Sequence, residues 1–417
     1  MVLGKQVIVI GAGASGLMAG ISAARRGAKV TILERMNKPG RKILATGNGK
    51  CNLTNLEQGL EKYRGEDPLF VVSVLEQFGG TDTMNFFEEL GVVCKERQGY
   101  VYPRSEQAVS VLEVLLMECD RLKIIIKGQE KIKQIRKQGG GFYVETHTWT
   151  YQGDVLVMAA GSKAAPVYGS DGSGYELCRQ LGHYICKPLQ ALVPLKPLEA
   201  YYGKLSGVRL EAQILLYVDN VLQAQEEGEL QISNFGVSGI AVFQLSRFAV
   251  KALEQKKKVV LNIDFLKDYT EEELKECLRK RKESNGHKKV GAFLTGFFPQ
   301  KLSEVIYEIL KVKESKSVSE LTEQELDNMR DLLKRFKATI VGGHGFEYAQ
   351  ACQGGVDTKE IKQDTLESKL VSGLYFAGEI IDIDGMCGGY NLQWAWSSGF
   401  VAGKSAGGSV NDKITTT

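Results

Sequence analysis

Residues 7–20 read VIVIGAGASGLMAG, and the rest of the fold follows from how this stretch is read. VIVI is a continuous apolar run, the pattern of a parallel strand buried on both faces. Gly11, Gly13 and Gly16 then fit G-x-G-x-x-G. A helical stretch, SGLMAGISAARRG, follows, and then a second strand, KVTILER, in which Glu34 stands 18 positions after Gly16. A glycine fingerprint alone is weak. Set between this strand and this helix, with an acid closing the second strand, it specifies a dinucleotide-binding βαβ unit. Gly11 makes the tight turn, Gly13 lets the backbone approach a pyrophosphate, and Gly16 allows the helix to pack on the strand. Ala14, Ser15 and the rest of the first helical turn offer unpaired N–H groups and about half a positive charge to the phosphates. Glu34, followed by Arg35, is placed to accept hydrogen bonds from ribose hydroxyls.

The same helix carries small residues at Gly16, Gly20 and Ala24, and a stretch near the other end, CGGYNLQWAWSSG (387–399), leads into a matching stripe at Ala395, Gly399 and Gly403. Small residues four apart on two helices predict close contact along those faces. That contact would bring the C-terminal segment back to the dinucleotide unit.

With 417 residues the chain is too long for one ordinary core. A hydrophobic share of 43% and a charged share of 25% are those of a water-exposed globular protein, and a net charge of +3 does not by itself mark a nucleic-acid or membrane surface. There is no apolar run long enough to span a bilayer, and MVLGKQ leads straight into a strand rather than a secretion signal. Eight cysteines without CxxC spacing read as free thiols of a cytoplasmic protein. Four scattered histidines make no readable cluster, so no metal site is expected.

Beyond Glu34 lies NKPGRKILATGNGKCNLTN (37–55), a basic, glycine-rich loop that points to FAD rather than NAD. Arg41 and Lys42 can meet phosphate charge, while Thr46, Gly47, Asn48 and Gly49, with Cys51 and Asn52 just beyond, flank a polar ring system. DVLVMAAG (154–161) reads as a buried strand ending at Ala160 and Gly161, where backbone passes close to a dinucleotide. LYFAGE (374–379) is a late strand ending at Gly378 and Glu379. Gly388, Gly389, Tyr390, Asn391 and Leu392 then form a second helix start, open enough to approach the flavin ring.

At this point the sequence resembles a known family. GAGASGLMAG, GRKILATGNGKCNLTN, GYVYPRSEQAVSVLEVLL, GELQISNFGVSGIAVFQLS, ACQGGVDTKEI and ESKLVSGLYFAGEIIDIDGMCGGYNLQWAWSSGFVAG together resemble the bacterial FAD flavoproteins that include aminoacetone oxidase and 3-dehydro-bile-acid Δ4,6-reductase. AAGSKAAPVYGSDGSGYELCRQLGH is more distantly similar to flavoproteins of the fumarate reductase and ketosteroid dehydrogenase type. Those usually have Gly-Asp-Gly where this chain has Gly172, Ser173 and Gly174. Cys352 and Asn234 stand where many relatives carry threonine and histidine, so substrate and catalytic roles do not transfer at those positions.

The expected fold is α/β: a Rossmann-like FAD-binding domain assembled from both chain ends (1–187 and 357–417), an inserted antiparallel β-sheet or barrel domain (188–267 and 337–356), and a small helical cap (268–336). The middle reads as short alternating strands up to about 267, and as polar helices after that, with DYTE at 268–271 as a start signal. The run from Lys275 to Lys289 holds seven Lys/Arg against two acids. It reads as a solvated helix face, so nucleic acid is not an expected partner and a small-molecule substrate is.

The second helix start would stabilise the negative charge of reduced flavin. No second fingerprint in a strand–helix setting appears, so NADH or NADPH would act as a transient donor at the flavin face. The resemblance implies reduction of an enone C=C bond in a 3-oxo bile-acid or steroid-like substrate. Its alternatives are amine oxidation with oxygen and a non-catalytic or tRNA-associated flavoprotein. Tyr390 is a candidate proton donor or, alternatively, an anchor of the helix start through its hydroxyl. Cys51 and Cys387 read as packed thiols rather than a redox pair, and the tryptophans as core or cleft wall.

Overall fold

The computed structural model describes residues 4–408. The chain divides into two compact units, one running to Leu189 and resuming at Gln350, the other spanning Gln190–Ala349.

The first unit is built on a five-stranded sheet of β1 (Gln6–Ile10), β2 (Lys29–Leu33), β3 (Ile125–Lys127), β4 (Val155–Met158) and β5 (Leu374–Phe376), in the order β5-β4-β1-β2-β3. Every pairing is parallel. Val7 through Ile10 are all at most 4% exposed, as expected for a strand covered on both faces. The late strand β5 lies beside β4, so both chain ends build one sheet. Ile10 stands opposite both Met158 and Leu33. The ladder continues one step further: Gly11 N–H donates to Leu33 O at 2.8 Å, Ala159 N–H to Ile10 O at 2.9 Å, and Ala377 N–H to Met158 O at 3.0 Å. Four segments therefore leave the sheet at one carboxyl edge. The strand order reverses between β1 and β4, the place where open α/β sheets bind ligands.

Three helices matter most here: α1 (Ala14–Ala24), α2 (Ser173–Gln180) and α3 (Tyr390–Gly407). α3 is buried nearly all round, and its Gly399, Gly403 and Gly407 run along α1. A Cβ at Gly399 would lie 2.6 Å from Ser15 O, one at Gly407 2.9 Å from Ala23 O, and one at Gly403 would strike Ala19 O. The two helices do meet along small residues, but α1 offers Ser15, Ala19 and Ala23 rather than the glycine stripe. Gly16 abuts the Gly11 carbonyl, and a Cβ at Gly20 would lie 2.8 Å from Ile32 Cδ1, so that stripe faces the sheet. Successive residues turn by about 100°, so α1 gives one small face to the sheet and the neighbouring one to α3. Ala395 lies on the cleft side of α3.

In the second unit six antiparallel strands close a barrel in the order Leu195–Pro197, Gly236–Ser238, Val221–Ser233, Arg209–Val218, Val259–Asp264 and Phe336–Gly343. Ala212, Ile214 and Leu216 alternate inward on one strand. The sequence reading of strands alone up to residue 267 misses a helix, Ile240–Glu254. Its buried Ala241, Val242, Leu245, Ala249 and Val250 follow a helical rather than a strand period. Between the last two barrel strands come Glu271–Asn285, Gln300–Leu310 and Glu323–Lys334. Thr270 and Thr322 cap two of these helices through reciprocal bonds with Glu273 and Glu325. The strand Ala351–Val356, grouped by sequence with the antiparallel domain, pairs with Ile185–Ala191 instead.

Replacing Gly403 by Ala is expected to destabilise the fold by about 1–3 kcal/mol through overpacking, read as a lower urea midpoint at unchanged slope. An unchanged midpoint would show that this contact has room to spare.

Candidate functional site

A cleft runs along the carboxyl edge of the sheet. From the fingerprint it is lined by Gly11, Gly13, Ala14 and Ser15, from β2 by Glu34 and Arg35, and from the basic loop by Arg41, Lys42 and Thr46. Ala160 and Gly161 enter after β4, Glu379 after β5, and Asn391, Leu392 and Ala395 from α3. Gly16 is buried beneath the turn it permits. A Cβ at Gly13 would meet nothing within 4 Å, so this glycine opens onto free space rather than being forced by its neighbours. A Cβ at Gly11 would collide with the Ala159 carbonyl.

Three helix N-termini reach the cleft: α1 through Ala14 and Ser15, α2 through Ser173 and Gly174, and α3 through Asn391 and Leu392. The residues preceding α1 and α3, Gly13 and Gly389, make no side-chain cap, and neither first turn carries an acid. Their first-turn N–H groups are therefore available to an anion. Among the described residues Lys38, Arg41 and Lys131, which also line the cleft, make no ion pair.

The side chains at the rim are more committed than the sequence suggests. The Glu34 carboxylate accepts from Ala12 N–H and Met36 N–H, both at 2.8 Å, so it also fixes the glycine turn. Arg35 pairs with Asp171. Lys42 Nζ lies 2.7 Å from Glu379 Oε2, whose other oxygen accepts from Cys352 N–H at 3.0 Å. The loop residues Gly47, Asn48 and Cys51 all have positive φ, at 55°, 54° and 56°, the left-handed backbone that a run of glycine and asparagine tolerates. Gly47, Asn48 and Gly49 are exposed, whereas Cys51 and Asn52 are buried. Burial pushes the Cys51 thiol up to about 12, so Cys51 is a packed thiol and not a nucleophile.

At the α3 end, Gly388 and Gly389 take φ of 121° and 97°. Tyr390 faces away from the cleft, is 5% exposed, and donates its hydroxyl proton to Glu57 O at 3.1 Å. Burial, the first cause, raises its phenol to about 12. Asn391 folds back on Gly385, accepting from its N–H at 2.9 Å and donating to its carbonyl at 2.8 Å. Gly378 N–H donates to Ser398 Oγ at 2.8 Å, and Trp394 Nε1 donates to Gly378 O at 3.2 Å. Trp396 Nε1 donates to Leu53 O at 2.9 Å. Trp394 and Trp396 are core residues, and each pins a segment that borders the cleft.

Sequence reasoning missed the α2 start. Its signal was the GSDGSG segment, quoted only as a distant similarity. Asp171 Oδ1 accepts from Ser173 N–H at 3.1 Å, so the acid one position before Gly172 organises this turn. Among the described residues no group of three or more His, Cys, Asp and Glu is placed to hold a metal ion, and no helix is long and apolar enough to cross a membrane.

The HI0933-like protein Rossmann domain family matches residues 5–405. The chain belongs to the HI0933-like family. Over 404 residues it is 41% identical to a 3-dehydro-bile acid delta(4,6)-reductase of Clostridium scindens, covering 96% of this chain and 99% of that protein. It is 31% identical to a ribosomal RNA dihydrouridine synthase of Haemophilus influenzae, covering 95% and 97%. It is 28% identical to the protein of that name in Escherichia coli, covering 94% and 95%. This HI0933-like protein is an FAD-dependent oxidoreductase. FAD fits the residues present: unpaired cations and the uncapped start of α1 suit its pyrophosphate, and the open face at Gly13 leaves room for it.

In this HI0933-like protein Gly13→Val should leave the thermal midpoint nearly unchanged and weaken FAD binding at least tenfold, because the added side chain enters the cleft without clashing with protein. Equal FAD affinity in a titration of apoprotein would refute the placement. Iodoacetamide at pH 8 should leave Cys51 unmodified in peptide mass mapping, since a thiol at about 12 holds almost no thiolate there.

Proposed function

We propose that this protein reduces a C=C bond conjugated to a carbonyl, in a 3-oxo bile-acid or steroid-like substrate, with NADH or NADPH as the transient donor. One observation carries the reading. Three relatives that match nearly the whole chain are named for such reductions, one as a 3-dehydro-bile acid delta(4,6)-reductase and two as ribosomal RNA dihydrouridine synthases. The higher identity to the bile-acid reductase favours the small substrate. So does the basic stretch of residues 275–289, several of whose cations are already engaged within the protein. Lys275 pairs with Asp327 at 3.0 Å, Arg279 with Glu323 at 2.8 Å and Lys280 with Glu276 at 3.4 Å, while Arg281 donates to the carbonyls of Phe293 and Thr295.

When bound, FAD would supply the hydride chemistry between the nicotinamide and the alkene. The protein's part is electrostatic and geometric. The α3 N-terminus would hold negative charge with free N–H groups, and the missing side chains at Gly388 and Gly389 let the turn before it pack against Tyr100 and Thr54. Saturation also needs a proton on the second alkene carbon. Tyr390 is a poor source, being buried with its hydroxyl already donated. Tyr100 is a better one. A Cβ at Gly388 would lie 3.1 Å from its ring, it is 37% exposed, and its hydroxyl has no partner among the described residues.

Anaerobic mixing tests the proposal: NADH or NADPH should bleach the flavin, and a 3-oxo-Δ4 steroid or bile acid should then restore its colour. Bleaching by aminoacetone with peroxide formed in air, or recolouring only by ribosomal RNA, would overturn it. Tyr100→Phe should slow the substrate-driven step about 100-fold and leave bleaching by the nicotinamide intact. Tyr390→Phe should slow neither step.

A further inference from the structure

One end of the barrel, where Leu195 stands opposite both Val237 and Gly343, carries a cluster of rings open to solvent. Phe235, on the turn before the strand Gly236–Ser238, is 48% exposed, and Tyr348, beyond the strand Phe336–Gly343, is 42% exposed. The His344 ring centroid lies 5.6 Å from that of Phe235 and 5.4 Å from that of Tyr348, and those two lie 5.0 Å apart. The backbone under the rings is fixed. Phe235 N–H donates to Ser233 Oγ at 3.2 Å and His344 N–H to Pro194 O at 3.0 Å. His344 Nε2 bonds to Phe235 O, and since a carbonyl only accepts, that nitrogen carries the proton. A Cβ at Gly236 would strike Leu195 O, so the turn keeps this shape only with glycine. Single exposed apolar side chains are ordinary, but rings held together in the open mark a binding surface.

A cation borders the cluster. Lys196 is exposed and stands opposite Gly342 in the ladder, so it shares a face with His344 two residues further on. Among the described residues it makes no ion pair. A Cβ at Gly342 would meet nothing within 4 Å, so the space beside the cation and the rings is open. Burial lowers the His344 pKa, and the charges that act on its ring are Lys196, which lowers it further, and Glu347, which raises it. One cation with an acid nearby suits a single carboxylate rather than the run of phosphates on a nucleic acid.

We propose that this patch recognises the carboxylate-bearing end of a bile acid, with Lys196 on the carboxylate and Phe235, His344 and Tyr348 against the adjoining apolar rings. A bile acid has both features, a flat and rigid hydrocarbon body and an anionic tail. Rigid rings on both sides lose little conformational freedom when they meet. The patch lies wholly in the barrel unit. Tyr348 precedes by two residues Gln350, which lines the cleft, a reach of about 7 Å of chain at most. The inference rests on the reductase reading above and narrows it from 3-oxo steroids at large to those with an acidic tail.

The test uses the holoenzyme with NADH or NADPH and two 3-oxo-Δ4 substrates that differ only at the tail, a bile acid and its methyl ester. The wild type should show a KM about fivefold lower for the acid at equal kcat, the effect of one exposed ion pair. Lys196→Met should bring the ratio of the two KM values close to one, and Lys196→Arg should keep the preference. Gly342→Leu, which fills the open space, should raise both KM values about fivefold. Equal KM for acid and ester in the wild type would overturn the role of the patch, whether or not the variants fold. So would an undiminished preference in Lys196→Met, or a larger loss of NADPH or ribosomal RNA binding than of bile-acid binding in that variant. Reduction of neither compound would overturn the reductase reading itself, and this inference with it.

Discussion

The close approach of α1 and α3 is the constraint on which the cofactor unit depends. With Gly399, Gly403 and Gly407 laid against Ser15, Ala19 and Ala23, each pair 384 positions apart in sequence, the two helices behave as one packed layer. Larger side chains would push the axes apart. The start of α3 would then leave the carboxyl edge of the sheet, and with it the second source of positive helix potential. Trp394 and Trp396 reinforce the contact: each spends its indole N–H on a carbonyl of a cleft-bordering segment, so the buried helix fixes the backbone around the site.

Charge in the cleft is arranged by backbone more than by side chains. Glu34 serves the glycine turn, Arg35 serves Asp171, and Lys42 serves Glu379. What stays available is two sets of first-turn amides, those of α1 and α3, and a few unpaired cations. Such donors need no reorganisation when an anion arrives or when negative charge develops on a ring. This suits a protein whose hard chemistry belongs to a cofactor, and it explains why burial drives the Cys51 and Tyr390 side chains away from ionisation rather than toward it.

Much of this was legible in advance. The fingerprint, the acid at 34, the late strand at 374–376 and the second helix start all lie in short local patterns whose glycines have few alternative explanations. The helix at 240–254 was lost because its small residues and its neighbouring strands mask the helical period. The α2 start was lost because its serine and glycine signal departs from the pattern expected at 172–174. The choice between Tyr390 as proton donor and as anchor of the helix start stayed open in the sequence, because the direction of a side chain on a helix start depends on what packs against it.

The sequence by itself determined the parallel sheet, the binding edge and the cofactor class, because buried strands, left-handed turns and close backbone approaches each demand particular residues at particular spacings. Only the tertiary structure decided which face of α1 meets α3, which rim side chains are already spent, and that Phe235, His344 and Tyr348 gather into one cluster of rings. Those outcomes depend on partners brought together from distant parts of the chain, and local spacing carries no record of them.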